Sequence, residues 1–189
     1  MLPRLLFVLL CLAPTVLSAR TWHVGPSERL SVPSEAAPLA QPSDTVLIAA
    51  GHYTNCAVWR IAGITIAAEE GAQVVITGPI CQDKGLFLVV APGIAIRGLT
   101  FLGARSRDSN GAGICAEGGD LSVHDARFED NESGILTSFQ AQAWRLLVED
   151  SVFLRNGAMR FECAHGLYVG ADSTSAANTT AGVCLAPAG

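Results

Sequence analysis

Ile96-Arg97-Gly98-Leu99-Thr100-Phe101, Val123-His124-Asp125-Ala126-Arg127-Phe128 and Val148-Glu149-Asp150-Ser151-Val152-Phe153 align without gaps, and this alignment decides the fold. Their phenylalanines stand 27 and 25 residues apart. A second block recurs around them: Gly113-Ile114, Gly134-Ile135 and Gly166-Leu167. A unit this short cannot bury its own apolar face, so it must stack on its neighbours as a solenoid or array. From Thr45 onward the chain supplies short apolar runs: Val46-Leu47-Ile48, Ile64-Thr65-Ile66, Val74-Val75-Ile76, Leu86-Phe87-Leu88-Val89-Val90 and Ile94-Ala95-Ile96. Each run is closed by Gly, Pro, Asn or Asp, which are strand and turn signals. No stretch holds a helical period long enough for βαβ units. The expectation is an all-β chain: a right-handed parallel β-helix of about five coils.

The alignment also assigns directions. Alternation along a strand sends Val123 and Phe128 inward and His124 and Arg127 outward, with a bend near Asp125. Val148, Phe153 and Glu149 follow the same pattern. Stacked coils therefore put Phe101, Phe128 and Phe153 in one internal column, each pair adding about 0.5–1.5 kcal/mol beyond area burial. Three places beyond two of these phenylalanines stand Asn131 and Asn156, which read as a two-rung asparagine ladder at a turn. Asn tolerates the left-handed conformation, and its amide can bond to the next coil's backbone. Ala104 occupies the corresponding place in the first coil.

Composition bounds the biology. Charged residues make up 15% of the 189 and the net charge is −5, with no basic cluster, so nucleic acid is excluded as a partner. Arg4, the apolar run Leu5 to Leu12 and the small residues ending at Ala19 read as a secretory signal over residues 1–19, cut after Ser18 or Ala19. A membrane helix is the competing reading, but a span needs about 20 apolar residues. The expected locale is secreted or periplasmic, with no membrane span in the mature protein.

Residues 20–43 read as a cap over the first coil, with a short helix around Ser34 to Ala40 and Ser34 as its N-cap. Residues 44–170 form the β-helix, and residues 171–189 are a low-complexity tail expected to be disordered. Room for only about five coils suggests a shortened product of a longer protein, by truncation or frameshift. An open last coil would expose a strand edge and favour edge-to-edge self-association.

Five cysteines follow the signal: Cys56, Cys81, Cys115, Cys163 and Cys184. Export would place them where disulfides persist. Cys56 and Cys81 are separated by 25 residues, one coil, so they can face each other on adjacent coils about 4.8 Å apart. Cys115 and Cys163 sit at different offsets from their Gly-Ile/Leu landmarks, which argues against pairing them.

Asp44-Thr45-Val46 through Ala50-Gly51-His52-Tyr53, then Gly98-Leu99-Thr100-Phe101, Asn131-Glu132-Ser133-Gly134-Ile135 and Ala164-His165-Gly166-Leu167-Tyr168-Val169, carry a resemblance over about residues 44–170. The chain resembles an exported bacterial protein of the right-handed parallel β-helix repeat family, in the pectate-lyase-like superfamily. The resemblance implies a solenoid whose flank accepts extended glycans. The superfamily holds polysaccharide lyases, glycoside hydrolases, esterases, epimerases and adhesins, so it implies no single reaction. His165-Gly166 is similar to the His-Gly of polygalacturonase-type enzymes, but their paired Asp residues and Arg-x-Lys have no counterpart at matching places.

One outward column carries the candidate chemistry. Arg97, His124 and Glu149 share a face, with Asp125 and Asp150 beside them at the bend, about 5 Å apart on neighbouring coils. His124, Asp125, Glu149 and Asp150 are the candidate catalytic groups, and Arg97 and His124 the candidate substrate contacts. Two close carboxylates suit the acid and nucleophile of a retaining glycosidase. They also suit Ca²⁺, the one cofactor the pattern suggests, although that ion takes six to eight oxygens. The same column reads better as surface charge compensation, since any two acidic residues at one repeat position stack at that distance. Asn131-Glu132-Ser133 and Asn178-Thr179-Thr180 fit the N-glycosylation pattern, and Trp22, Trp59 and Trp144 are candidate sugar platforms. In one reading the partner is a polysaccharide, which the protein binds and, as an enzyme, would cut. Two competing readings are a non-catalytic structural or adhesive envelope protein and a fragment of a longer β-helix.

Overall fold

The computed structural model describes residues 18–137 and 145–157, together with the backbone of three further strands at His165–Val169, Thr174–Thr179 and Val183–Leu185. The expected signal segment lies almost wholly outside the described residues, as do Trp144 and Cys163.

Strand β1 (Thr21–Val24) and the short helix α1 (Pro33–Ala36) precede the first full coil, formed by β2 (Thr45–Ile48), β3 (Gly51–Thr54) and β4 (Ala57–Trp59). The second coil is β5 (Thr65–Ala68), β6 (Val74–Thr77) and β7 (Gly85–Val89), and the third is β8 (Ile94–Arg97), β9 (Leu99–Leu102) and β10 (Ala112–Ala116). The fourth is β11 (Leu121–His124), β12 (Arg127–Glu129) and β13 (Ser133–Thr137). In the fifth, β14 (Arg145–Leu154) runs through two sheets and β15 (His165–Val169) completes the turn. Beyond residue 170, where the sequence shows no further repeat, β16 (Thr174–Thr179) pairs with β14 and β17 (Val183–Leu185) with β15.

Every pairing between these strands is parallel, and the result is an all-β solenoid of about five turns with three sheets. Sheet A runs β1-β2-β5-β8-β11-β14, sheet B runs β3-β6-β9-β12-β14, and sheet C runs β4-β7-β10-β13-β15-β17. Parallel registry places equivalent residues one above another. Val46, Ile66, Ile96, Val123 and Val148 form one buried file in sheet A. Tyr53, Ile76, Phe101, Phe128 and Phe153 form another in sheet B.

Phe101 and Phe128 stack with centroids 5.2 Å apart, and Phe128 and Phe153 at 4.7 Å, with ring planes within 13°. The aromatic cluster reaches across the interior, because Phe87 meets Phe101 edge-on at 5.1 Å and Trp59 meets Phe87 at 5.4 Å. The Gly-Ile block is the other half of this contact. A Cβ on Gly113 would come within 2.8 Å of the side chains of Phe101 and Phe128. Glycine there is a packing requirement.

The asparagine ladder closes one corner. Asn131 accepts from Ala104 N–H at 2.9 Å through Oδ1 and donates from Nδ2 to Phe101 C=O at 3.0 Å. Asn156 repeats this one coil on, accepting from Asn131 N–H at 3.1 Å and donating to Phe128 C=O at 2.9 Å. Turns inside a solenoid leave backbone groups without strand partners, and these amides satisfy them.

The cap differs from the sequence reading. The segment contains a sheet A strand, β1, whose four residues are too few to show alternation. The helix is only Pro33–Ala36, and its N-cap is Val32, not Ser34. Pro33 suits the first helical position, where its missing N–H costs nothing, and Glu35 reaches back to accept from Ser31 N–H at 2.6 Å. Ser34 instead fastens the helix to the first coil: its N–H donates to Asn55 Oδ1 and its Oγ accepts from Asn55 Nδ2. Asp44 fixes β1, accepting from Arg20 N–H, Trp22 Nε1–H and Gln41 N–H at 2.8–2.9 Å. Burial pushes its carboxyl up, but these bonds and the Arg20 charge outweigh that and hold it below the ordinary carboxylate range.

Phe128→Ala should destabilise the protein by about 3–5 kcal/mol in urea unfolding, because its neighbours on both sides are held by registry and cannot collapse into the space. Asp44 should contribute stability above its unfolded pKa of about 3.9 and lose it as pH falls through its lower folded value. Asp44→Asn should therefore cost about 1.5–3 kcal/mol at pH 7, with the gap from wild type closing in acid.

Candidate functional site

The column chosen from sequence lies on sheet A. Register places Arg97, His124 and Glu149 on consecutive coils, and His124 Nδ1 approaches Glu149 Oε2 to 3.0 Å. Asp125 and Asp150 both adopt the left-handed conformation, with φ of 51° and 50°. Gly98 holds the same corner one coil earlier with φ 71°. The corner demands a residue that tolerates positive φ, and Asp is among the few besides glycine that do. Among the described residues, no group of three or more His, Cys, Asp or Glu side chains is arranged to share a metal ion. Asp125 and Asp150 thus have a conformational reason to be Asp that needs no substrate.

The other motifs also find structural employment. Asn131 is 1% exposed with its amide used in the ladder, so the first glycosylation pattern is closed in the folded protein. Trp59 is buried in the aromatic cluster, and Trp22 donates to Asp44 with Arg20 stacked 4.9 Å from its ring. Cys56 and Cys81 form a disulfide with Cα atoms 5.5 Å apart.

Sheet C offers a different site. Its strands β7 and β10 are buried on both faces. The outer face carries Val58, Leu88, Cys115 and Leu136 in one file, packed with Ala112, Val90 and Cys81 as a second small apolar cluster. Two loops rise around it. The turn between Cys81 and Gly85 places Gln82 and Asp83 consecutively in the left-handed region, at φ 53° and 58°. Such strain persists only where the surroundings impose it. Here the disulfide at Cys81 and the Cys81 N–H to Gly85 C=O bond of 2.8 Å do so.

The loop from Gly103 to Gly111 folds onto itself and is held by Glu132 of the next coil. That carboxylate accepts from Ser106 N–H at 2.8 Å and Gly111 N–H at 2.7 Å. Asp83 accepts from Arg107 N–H at 3.2 Å, joining the two loops.

Between them opens a cleft of about 300 Å³ lined by Gln82, Asp83, Lys84, Asp108, Asn110, Cys115, Glu117, Leu136 and Thr137. Lys84, the sole lysine of the chain, is paired with Glu117 from the following coil. The bond to Glu117 pushes the ammonium pKa up, against a smaller opposing effect of burial. Burial, reinforced by the Glu117 charge, pushes the Cys115 thiol up to about 12. Cys115 is therefore a floor residue and no nucleophile at neutral pH. The cleft combines an apolar floor with carboxylate, amide and ammonium groups at its rim, the composition of a binding site for a polar ligand with an apolar face.

Lys84 precedes the aligned blocks, so the repeat does not point to it. Its trace in the sequence is indirect. Leu86 to Val90 is an unbroken apolar run, which marks a strand covered on both faces and hence loops above it. Comparison of the chain with protein-family models, curated proteins and solved structures finds no match in any of the three.

Native protein treated with iodoacetamide at pH 8 should leave Cys115 unmodified in peptide mapping, and unfolding should expose it to full alkylation. Rapid native labelling of Cys115 would contradict both its burial and its raised pKa.

Proposed function

We propose that this protein is an exported β-solenoid that binds a polysaccharide, with the sheet C cleft holding part of the glycan. The observation that carries this reading is the Lys84–Glu117 pair at the rim of an apolar-floored cleft, beside Asp83, Asp108 and Asn110. Sugars present hydroxyls to carboxylates and amides and an apolar C–H face to a hydrophobic surface, and this lining supplies both. Bracing of the rim by Glu132 and by the disulfide supports binding without large ordering costs. The Cys56–Cys81 bridge also supports export, since such bonds persist in oxidising compartments. The resemblance of residues 44–170 to pectate-lyase-like proteins agrees with a glycan ligand. Binding is the reading favoured over cleavage, because the left-handed corner accounts for Asp125 and Asp150 without a reaction.

Thermal unfolding against a panel of neutral and acidic polysaccharides tests this. At least one glycan should raise Tm in wild type, with no release of unsaturated or reducing ends in the presence of Ca²⁺. Lys84→Met, which keeps most of the apolar stem and removes the charge, should remove that rise while leaving the unliganded Tm within a few degrees. A folded wild type indifferent to the whole panel would favour the purely structural rod instead.

A further inference from the structure

A second cleft, of about 500 Å³, opens between α1 and the outer side of sheet C and shares no lining residue with the Lys84 cleft. Ala37 and Pro38 at the end of α1, Val58 of β4, Ile61 and the Cys56–Cys81 disulfide give it apolar walls. Arg60 is the one charged side chain in this lining. It is exposed, and no ion pair among the described residues involves it. The walls are fixed in advance. The disulfide joins two of them, and the paired hydrogen bonds between Ser34 and Asn55, at 3.1 and 3.0 Å, hold α1 in place. Ser34 Oγ accepts from Asn55, which leaves its own O–H to donate.

A guanidinium with no counter-ion beside a preformed apolar wall is complementary to an anion that carries its own apolar body. The guanidinium fork matches a carboxylate in bidentate fashion. One cation balances a single negative charge and the hydroxyl adds a donor, whereas a phosphate monoester would call for a second cation. The volume falls within the range of small-ligand sites, about 300–1,000 Å³. We propose that this cleft binds a small monocarboxylate with an aliphatic chain or aromatic ring. The carboxylate rests on Arg60 with help from the Ser34 hydroxyl, and the tail lies against Pro38, Val58, Ile61 and the disulfide. This site does not rest on the glycan reading: the two clefts share no lining residue, although the disulfide braces both.

Isothermal titration of the oxidised protein with octanoate, with octylamine as the charge-reversed comparator, decides the matter. Octanoate should bind with one-to-one stoichiometry and octylamine should not. Arg60→Gln should weaken octanoate by about tenfold or more, as expected for losing a charge-assisted hydrogen bond. Lys84→Met should leave octanoate affinity unchanged. Arg60 is exposed, so its variant should keep the wild-type melting curve, and that curve is recorded alongside. Failure of octanoate to bind, equal binding of octylamine, or full affinity in Arg60→Gln would each overturn the proposal.

Discussion

The parallel hydrogen bonding between coils sets the terms for everything else in this molecule. It holds each residue about 4.8 Å from its counterpart on the next coil. At that spacing whatever occupies a position must be compatible with a copy of itself above and below. Aromatic rings meet the condition by lying face to face, as Phe101, Phe128 and Phe153 do. Aliphatic residues meet it by nesting, as in the file from Val46 to Val148. Glycine is kept at Gly113 because the phenylalanine column leaves no room for a Cβ.

The same spacing disciplines the polar residues. Like charges stacked at this distance repel, and several outward residues pair with an opposite charge on the neighbouring coil. His124 faces Glu149, and Arg155 gathers both Glu129 and Asp130. Those contacts draw Glu129 and Asp130 below their ordinary range, chiefly through hydrogen bonds from Arg127 and Arg155 respectively. A second left-handed corner runs through Gly78, Gly103, Asp130 and Arg155. Most of these corner positions hold Gly or Asp, which tolerate positive φ, with Arg155 the exception, and an acidic pair at a corner carries less functional information than the same pair elsewhere.

The clefts open where the repeat is interrupted. Sheets A and B show regular outward faces with intermediate exposure. Sheet C departs from this at β7 and β10, which are buried on both faces, and both clefts lie on the outer side of that sheet. The disulfide is common to the two: it fixes the strained turn that presents Lys84, and it walls the cleft beneath α1. A single covalent link between adjacent coils therefore organises the least repetitive part of the surface.

The fold was legible because it rests on local, recurring constraints. A period near 25 residues, apolar alternation and turn residues at fixed offsets each report on one coil, and stacking merely multiplies them. The phenylalanine column, the asparagine ladder and the Cys56–Cys81 spacing could be read from offsets alone for the same reason. The cap strand Thr21–Val24 could not, since four residues carry too little periodicity, and α1 is set by Pro33 and Glu35 more than by its serine. The clefts were beyond reach for a deeper reason. Lys84 and Glu117 are 33 residues apart and at unrelated repeat positions, and Arg60 borders α1 only because Asn55 pins Ser34. The sequence by itself determined what repeats, because registry makes each coil a template for the next. Only the tertiary structure decided what the departures from the repeat enclose, because loops of unequal length meet in space at places no period encodes.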